Sequence, residues 1–337
     1  MKKILALVLA VVLVASFAAC GNTAKVEKVD YKLGMGVSVS LDSSVDKTAD
    51  KDAKAEAVAT IAVVVFDANG KIADVQIDCA DTTVSVKDGK LVNLAGTELR
   101  TKYEQKGDYG MVAYNASPIG KEWYEQADAF EAWCVGKTLA EVTAASSDDA
   151  DLKAGCTIYV GDFVAAVKKA VEDAQAVAFS ADTFKLGLDV ITDVSGSNDK
   201  NDKGDATVKF ASTIGAVVVD AEGKTLAAIV DEIEPTVSVD DKGVVSAKKY
   251  TDTKRNLKEN YGMVAYNASP IGKEWYEQAN AFSAYLVGKT ATEVAGIATK
   301  TNESGSVVAA DADLAAVCTI KIATYIKVAA DAVAAAQ

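Results

Sequence analysis

Ala57 to Phe66 is an apolar run rich in β-branched residues that stops at Asp67-Ala68-Asn69-Gly70, and Ile72 to Cys79 mixes apolar with polar positions as a half-buried strand does. The pattern predicts a hairpin. Thr82 to Val86 gives a third strand before the Lys87-Asp88-Gly89 turn, whereas Asp46 to Lys54 and Ser195 to Asp205 read as charged or Gly/Ser-rich loops. Beyond the turn the period changes. From Lys121 to Val135 the apolar residues Trp123, Ala127, Phe130 and Cys134 fall at helical spacing; Pro118-Ile119-Gly120 opens this helix and Gly136 stops it. A short β-like segment, Thr157 to Val160, follows, and Asp162 is placed to cap a helix with the face Phe163, Ala166, Val167, Ala170 and Val171. Thr324 is the corresponding cap for a helix over Tyr325 to Ala336.

The same pattern occurs twice. Tyr109 to Ala127 reads YGMVAYNASPIGKEWYEQA, and Tyr261 to Ala279 repeats it letter for letter. Outside that block Tyr31-Lys32-Leu33-Gly34 answers Phe184-Lys185-Leu186-Gly187, Asp67 to Lys71 answers Asp220 to Lys224, and Val135 to Thr138 answers Val287 to Thr290. A unit of about 150 residues is long enough to bury its own core. The expected fold class is therefore α+β: two tandem copies of an antiparallel-sheet domain with two main helices each, spanning residues 30–178 and 179–337.

The first residues follow another rule. Lys2 and Lys3 precede a wholly apolar stretch from Ile4 to Val14, and Ser16-Phe17-Ala18-Ala19 leads into Cys20-Gly21. That is the pattern of a lipoprotein signal peptide over residues 1–19, with Cys20 as the acylated first residue of the mature chain and residues 20–29 as a tether. A run of about 11 apolar residues is short for a membrane-spanning helix, so lipid is the expected anchor. A plain signal peptide with an incidental cysteine is the alternative. The expected location is the outer face of the bacterial cytoplasmic membrane or the cell surface.

Composition narrows the chemistry. The formal charge of the chain is −13, and becomes −15 once residues 1–19 are removed, which makes nucleic acid a poor partner. There is no histidine, which excludes His-based triads, His-containing zinc sites and imidazole acid–base catalysis. Cys79, Cys134, Cys156 and Cys318 show no metal-binding spacing and read as small buried residues, with a Cys79 to Cys156 bridge as the alternative. Glu122 and Glu125 read as solvated helix surface, and the Asp149-Asp151 and Asp311-Asp313 pairs do not resemble a calcium loop. No metal site is expected.

Four features together resemble the FMN-binding domain family, found in periplasmic subunits of Na⁺-translocating NADH:quinone reductase and Rnf complexes and in Gram-positive flavin-carrying lipoproteins. They are the hairpin from Val63 to Ile77 with its Asp-x-x-Gly-Lys-Ile turn; a Trp-containing helix ending in Gly-Lys, Trp123 with Gly136-Lys137 and Trp275 with Gly288-Lys289; an acid six residues before a Thr; and a closing helix of small and branched residues. The third feature is Asp151 to Thr157 (DLKAGCT) and Asp313 to Thr319 (DLAAVCT). The resemblance implies FMN esterified through its phosphate to Thr157 and Thr319 by a flavin transferase, with Asp151, Gly155 and Asp313 in the surrounding motif. It departs from the family where Ala154 and Ala316 replace a Ser/Thr, where Cys156 and Cys318 replace Ala, and where Val317 replaces Gly.

Tyr109, Tyr114, Trp123 and Tyr124, with their copies Tyr261, Tyr266, Trp275 and Tyr276, are a high aromatic density for this chain, and on this reading they form stacking walls for a planar ligand with Lys121 and Lys273 supplying positive charge beside them. The protein would be a lipid-anchored electron carrier with redox partners rather than an enzyme. The bland reading makes Trp123 and Phe130 the core face of a helix and Tyr109 a plug on the sheet; recent copying between the halves would also explain the identity. Two other functions remain open at this point: a surface binding or structural lipoprotein that keeps the fold without cofactor and recognises a peptide, glycan or other small ligand, and a transport-associated solute-binding lipoprotein.

Overall fold

The long apolar run pairs with the strand after its turn, and both continue well past the hairpin expected from the sequence. In the computed structural model, which describes residues 28–145, 149–202, 204–250 and 252–336, β2 (Ala53–Asp67) and β3 (Ile72–Lys87) form one antiparallel ladder from Ala53 opposite Val86 to Phe66 opposite Ile72. The Asp67 carboxylate closes the turn by accepting from Asn69 N and Lys71 N at 2.8 and 3.0 Å. β1 (Val29–Ser40) lies on the other side of β2, β4 (Lys90–Val92) extends β3, and β5 (Val177–Ala181) returns to the outer edge of β1, giving the order β4-β3-β2-β1-β5. The expected signal peptide, Cys20 and the expected tether up to residue 27 lie outside the described residues. No described helix is long and apolar enough to cross a membrane.

The second half breaks the same ladder in two. β6 (Lys185–Asp193), β8 (Ala211–Val219) and β9 (Thr225–Ile233) form a sheet in the order β6-β8-β9. β7 (Ala206–Lys209), β10 (Thr236–Val239) and β11 (Val245–Lys249) form another in the order β11-β10-β7. The break falls at Phe210 and Pro235; Pro235 has no N–H to give the ladder, and its carbonyl accepts instead from Phe210 N at 2.9 Å. Thus the separate third strand read from the sequence exists in this half. In the first half Thr82 to Val86 is the end of a continuous β3. β12 (Thr299–Thr301) and β13 (Val307–Ala309) add a small hairpin that periodicity did not indicate.

Helices follow in each half. The first carries α1 (Lys102–Gln105), α2 (Trp123–Cys134), α3 (Leu139–Thr143), α4 (Ala150–Lys153) and α5 (Gly161–Val171). The second carries α6 (Lys254–Leu257), α7 (Trp275–Tyr285), α8 (Ala291–Ala295), α9 (Ala312–Ala315) and α10 (Ala323–Ala335). Helix α2 ends as expected, with Gly136 at φ 80° beyond it, and α5 buries Phe163, Ala166, Val167 and Ala170. Two expectations are corrected. Thr157 to Val160 is not a strand, because the Thr157 N–H is taken by a side chain of α2 rather than by a neighbouring strand. Asp162 and Thr324 sit inside the first turns of α5 and α10, whose N-caps are Val160 and Ile322.

Alternation along the strands explains why the run is apolar on every residue. Ala62, Val64 and Phe66 face the helices, packing with Trp123, Phe130, Phe163 and Ala166. Ile61, Val63 and Val65 point to the opposite face and pack against Ile214, Ala216, Val218 and Ile229 of the second half. In turn Val217, Val219, Ala228 and Val230 face Trp275, Phe282 and Val333. The layers are therefore helices, sheet, sheet, helices, with the two sheets face to face. Helix and sheet approach closely: a Cβ on Gly34 would lie 2.0 Å from the Ala170 carbonyl oxygen, and one on Gly187 would lie 2.1 Å from that of Ala332. Among the described residues the four cysteines are buried and free, with Cys79, Cys134 and Cys156 in one core, so no Cys79 to Cys156 bridge is formed.

A buried polar lock joins the halves beside this core. Arg255 donates to Asp173 Oδ2 at 2.8 Å, each side chain only 3% exposed, and also to the Gln175 carbonyl and Asn280 Oδ1. Gln175 returns the contact by donating to the Arg255 carbonyl at 3.0 Å. Removing one partner leaves a charge buried without compensation. Asp173→Ala is expected to lower the unfolding free energy by about 3–5 kcal/mol in a denaturant titration; a loss under about 1 kcal/mol would mean that the lock contributes little.

Candidate functional site

The duplicated block folds into a loop that is tied at nearly every inward position. Glu122 is the N-cap of α2, and its carboxylate accepts from Met111 N at 2.8 Å and Val112 N at 3.2 Å, while Glu125 accepts from Glu122 N at 2.9 Å. The reading of Glu122 and Glu125 as a solvated face is thereby corrected: they clamp the loop to the helix. One turn further on, buried Gln126 donates to Ser117 Oγ and to the Lys121 carbonyl at 3.3 and 3.1 Å, and its Oε1 accepts from both Thr157 N and Thr157 Oγ1 at 2.9 and 3.1 Å. Gly110 at φ 82°, Asn115 at φ 54° and Gly120 at φ 66° make the reversals between these anchors.

The second block repeats the bonds. Glu274 accepts from Met263 N and Val264 N at 2.8 and 3.1 Å, and Gln278 joins Ser269, the Lys273 carbonyl and Thr319. What these ties leave outside is uncharged and mostly apolar. Tyr114 and Tyr266 are each 82% exposed, Val112 and Val264 each 44%, and no charged residue occurs from Gly110 to Gly120 or from Gly262 to Gly272. The Tyr114 ring packs over Gly110, where a Cβ would come within 2.9 Å of it. The loop is thus tied at both ends and uncharged.

Behind each loop stands a lysine, half-buried at Lys102 and buried at Lys254. Lys102 Nζ lies 4.9 Å from the Tyr109 ring centre and 6.0 Å from that of Trp123, and pairs with Asp81 at 3.0 Å. Lys254 stands 5.1 Å from Tyr261 and 5.8 Å from Trp275. Each lysine opens a short helix pinned to the sheet by a buried acid: Asp78 accepts from Cys79 N and Tyr103 N at 2.6 and 3.2 Å, and Asp231 from Glu232 N and Arg255 N at 2.8 and 3.0 Å. Burial pushes both of these carboxyls up to about 6.

The residues anticipated from the sequence divide into three groups. Trp123 and Trp275 are core residues, 5% and 3% exposed, with their rings edge-on to Phe163 and Tyr325 at 5.6 and 5.9 Å. Tyr109 and Tyr261 are half-buried beneath the lysines. Lys121, Thr157, Lys273 and Thr319 are half-buried and gathered by the two glutamines. Asp151 and Asp313 stand apart as exposed residues in the first turns of α4 and α9. A Cβ on Gly155 would meet Ala129 Cβ at 2.7 Å, so that glycine serves packing against α2; in the second half Val317 is accommodated against the core. Two shallow cavities, of about 360 Å³ beside Tyr31, Lys32 and Phe179 and about 160 Å³ beside Lys185 and Asp220, are lined by none of these residues.

FMN needs a ring-binding face and donors for its phosphate. The indoles are enclosed and the Tyr109 and Tyr261 rings are covered by lysine, so the anticipated aromatic wall does not fit a stacked flavin. Sequence reasoning missed Lys102, Lys254, Glu122, Gln126 and their counterparts. For Glu122 and Gln126 the signal available was the unbroken identity of the block, including polar residues that a merely solvated face would not need to keep; Lys102 and Lys254 lie before the block and carried no such signal. The fold and site define an α+β protein with antiparallel sheets and two displayed loops. No protein-family model, curated protein or solved structure matches the chain.

Burial also pushes Glu131, which accepts from Ile77 N at 2.6 Å, up to about 8, and Asp189 up to about 7. A carboxyl raised in the folded state holds its proton where the unfolded chain has lost it, so the folded chain binds more protons between about pH 4 and 8 and stability falls as pH rises through that window. The melting temperature is expected to be higher at about pH 5 than at about pH 8.5, with Glu131→Gln flattening the upper part of the fall. A melting temperature that rises with pH over this range would refute the assignment.

Proposed function

We propose that residues 30–178 and 179–337 are two copies of one α+β unit, and that the chain is a two-site binding protein whose recognition elements are the loops Gly110–Gly120 and Gly262–Gly272. The observation that carries this reading is the pair of 82% exposed tyrosines, Tyr114 and Tyr266, held by identical clamps. Inward residues of the block are explained by bonding and packing. The outward ones have no such reason to match, and a rigid Tyr on a preorganised loop is an effective contact residue. The ligand class is a peptide, glycan or cell-wall component, reached from outside the cytoplasmic membrane by a chain exported through residues 1–19 and anchored at Cys20. This function needs neither cofactor nor turnover.

Two equal sites make binding multivalent. Fluorescently labelled mature chain added to bacterial cells or isolated envelope should bind; Tyr114→Ala or Tyr266→Ala alone should weaken the apparent affinity about 10²-fold or more, and the double variant should abolish binding. Double-variant binding equal to wild type would sink the proposal.

A flavin carrier is the second reading, favoured by one observation: the Thr157 and Thr319 hydroxyls occupy the same half-buried setting, each on its glutamine beside a lysine loop. Bound FMN would supply reversible electron uptake. Co-expression with a flavin transferase followed by denaturation tests it directly. Visible flavin absorbance that stays with the polypeptide and is lost in Thr157→Ala plus Thr319→Ala supports the carrier; a colourless wild-type chain removes it.

A further inference from the structure

Lys254 in the second half meets two carboxylates rather than one. Its Nζ lies 3.0 Å from Glu232 Oε1 and 3.3 Å from Glu234 Oε1, with 10%, 13% and 26% of the three side chains exposed. The other oxygen of Glu232 accepts from the Tyr325 hydroxyl at 2.6 Å, and Trp275 Nε1 donates to that hydroxyl at 3.3 Å. Tyr261 and Trp275 enclose the amine. The cluster contains an amine, a carboxyl with a hydrogen-bond donor on its far oxygen, and a second carboxylate within reach of the same nitrogen. Those are the parts needed to make an amide.

We propose that Lys254 and Glu232 condense into an intramolecular isopeptide bond, with Glu234 moving the proton and Tyr325 polarising the carbonyl. Lys254 passes a proton to Glu234 and attacks Cδ of Glu232. The Nζ–Cδ bond forms, the Cδ–OH bond breaks, Glu234 returns the first proton to the departing hydroxyl, which leaves as water, and Glu234 then takes the second proton from the nitrogen, so that the amide is neutral and Glu234 ends protonated. Nothing is oxidised or reduced. Burial pushes Glu232 above its ordinary value, against the pull of Lys254 and the Tyr325 hydroxyl, and so favours the neutral acid, the form from which a hydroxyl can leave. For Glu234 burial works the same way, but the attraction of Lys254 and the bond from Lys209 outweigh it and hold the group below its ordinary value, ready to take a proton. The fold replaces a bimolecular condensation by one between groups already in contact, an advantage of about 10⁵ M or more in effective concentration, and the closed site favours loss of water.

The first half is the internal control. Lys102 has the same aromatic surroundings and pairs with Asp81, but Cys79 follows Asp78 where Glu232 follows Asp231, and Phe163 stands six residues after Thr157 where Tyr325 stands six after Thr319. It therefore lacks both the second carboxyl and the phenol, and no bond is expected there.

The test is a tryptic digest of the denatured full chain purified from a producing bacterium, read by mass spectrometry. The expected product is a branched peptide in which Thr225–Lys242 is joined to Tyr250–Arg255, one water lighter than the sum, uncleaved after Lys254 and with fragment ions placing the link on Glu232. Peptides containing Lys102 and Asp81 should be linear. Glu234→Gln should slow appearance of the branch about 10²-fold in a pulse-chase, with the variant's fold checked by circular dichroism. Only linear peptides from wild type, with ordinary cleavage after Lys254, would overturn the proposal. So would a link mapped to Glu234.

Discussion

β2 and β8 are each apolar on both faces, and an antiparallel sheet of that kind cannot stand with one side in water. Ile61 and Val63 on one sheet and Ile214 and Ile229 on the other are essentially fully buried against each other, each contributing on the order of 1.5–3 kcal/mol relative to exposure. Everything else is arranged around this shared layer. The helices are forced to the outside, where the glycines of β1 and β6 let their backbones settle directly onto the strands. The segment connecting the halves is drawn in as β5, adding an edge strand to the first sheet on its way to the second. The Arg255 to Asp173 pair then sits at the rim of the layer, where charge can be buried only because each group finds its partner there.

Local signals survived well and long-range ones did not. The Asp67 to Lys71 turn, the α2 helix, its glycine stop and the inward face of α5 were legible because each is written in residues less than a few turns apart. The Thr157 to Val160 segment misled because its composition suits a strand, while its hydrogen-bonding capacity is claimed by Gln126, thirty-one residues earlier. Glu122 looked like surface because its partners are the backbone N–H groups of Met111 and Val112, which carry no sequence signature. The aromatic density of the block was legible as well, but not its direction: the two tryptophans turn inward and the two tyrosines at 114 and 266 turn outward, a difference that depends on the loop reversals at Gly110 and Asn115.

The halves keep the same framework and vary the chemistry inside it. Cys79, Phe163, Tyr103, Asp128 and Glu131 stand in the first half where Glu232, Tyr325, Arg255, Asn280 and Ser283 stand in the second. Tyr103 donates to Asp128 at 3.0 Å near the surface, while Arg255 and Asn280 are turned to the contact between halves. Glu131 and Ser283 perform one task with different groups, each accepting a strand N–H, from Ile77 and Val230 respectively. Parts of the interior thus differ between the halves, while the identical block keeps both its exposed loop residues and the buried Trp, Gln and Ala that hold them.

The face-to-face sheets also act as a ruler. Each displayed tyrosine is clamped to its helix, each helix rests on its sheet, and the sheets are separated by a single layer of interlocked Ile, Val and Leu side chains. The span between Tyr114 and Tyr266 is thus set by the thickness and register of that layer, not by a linker. Changing the volume of a residue such as Ile61 or Ile214 would alter the distance between the two displayed tyrosines without touching either loop.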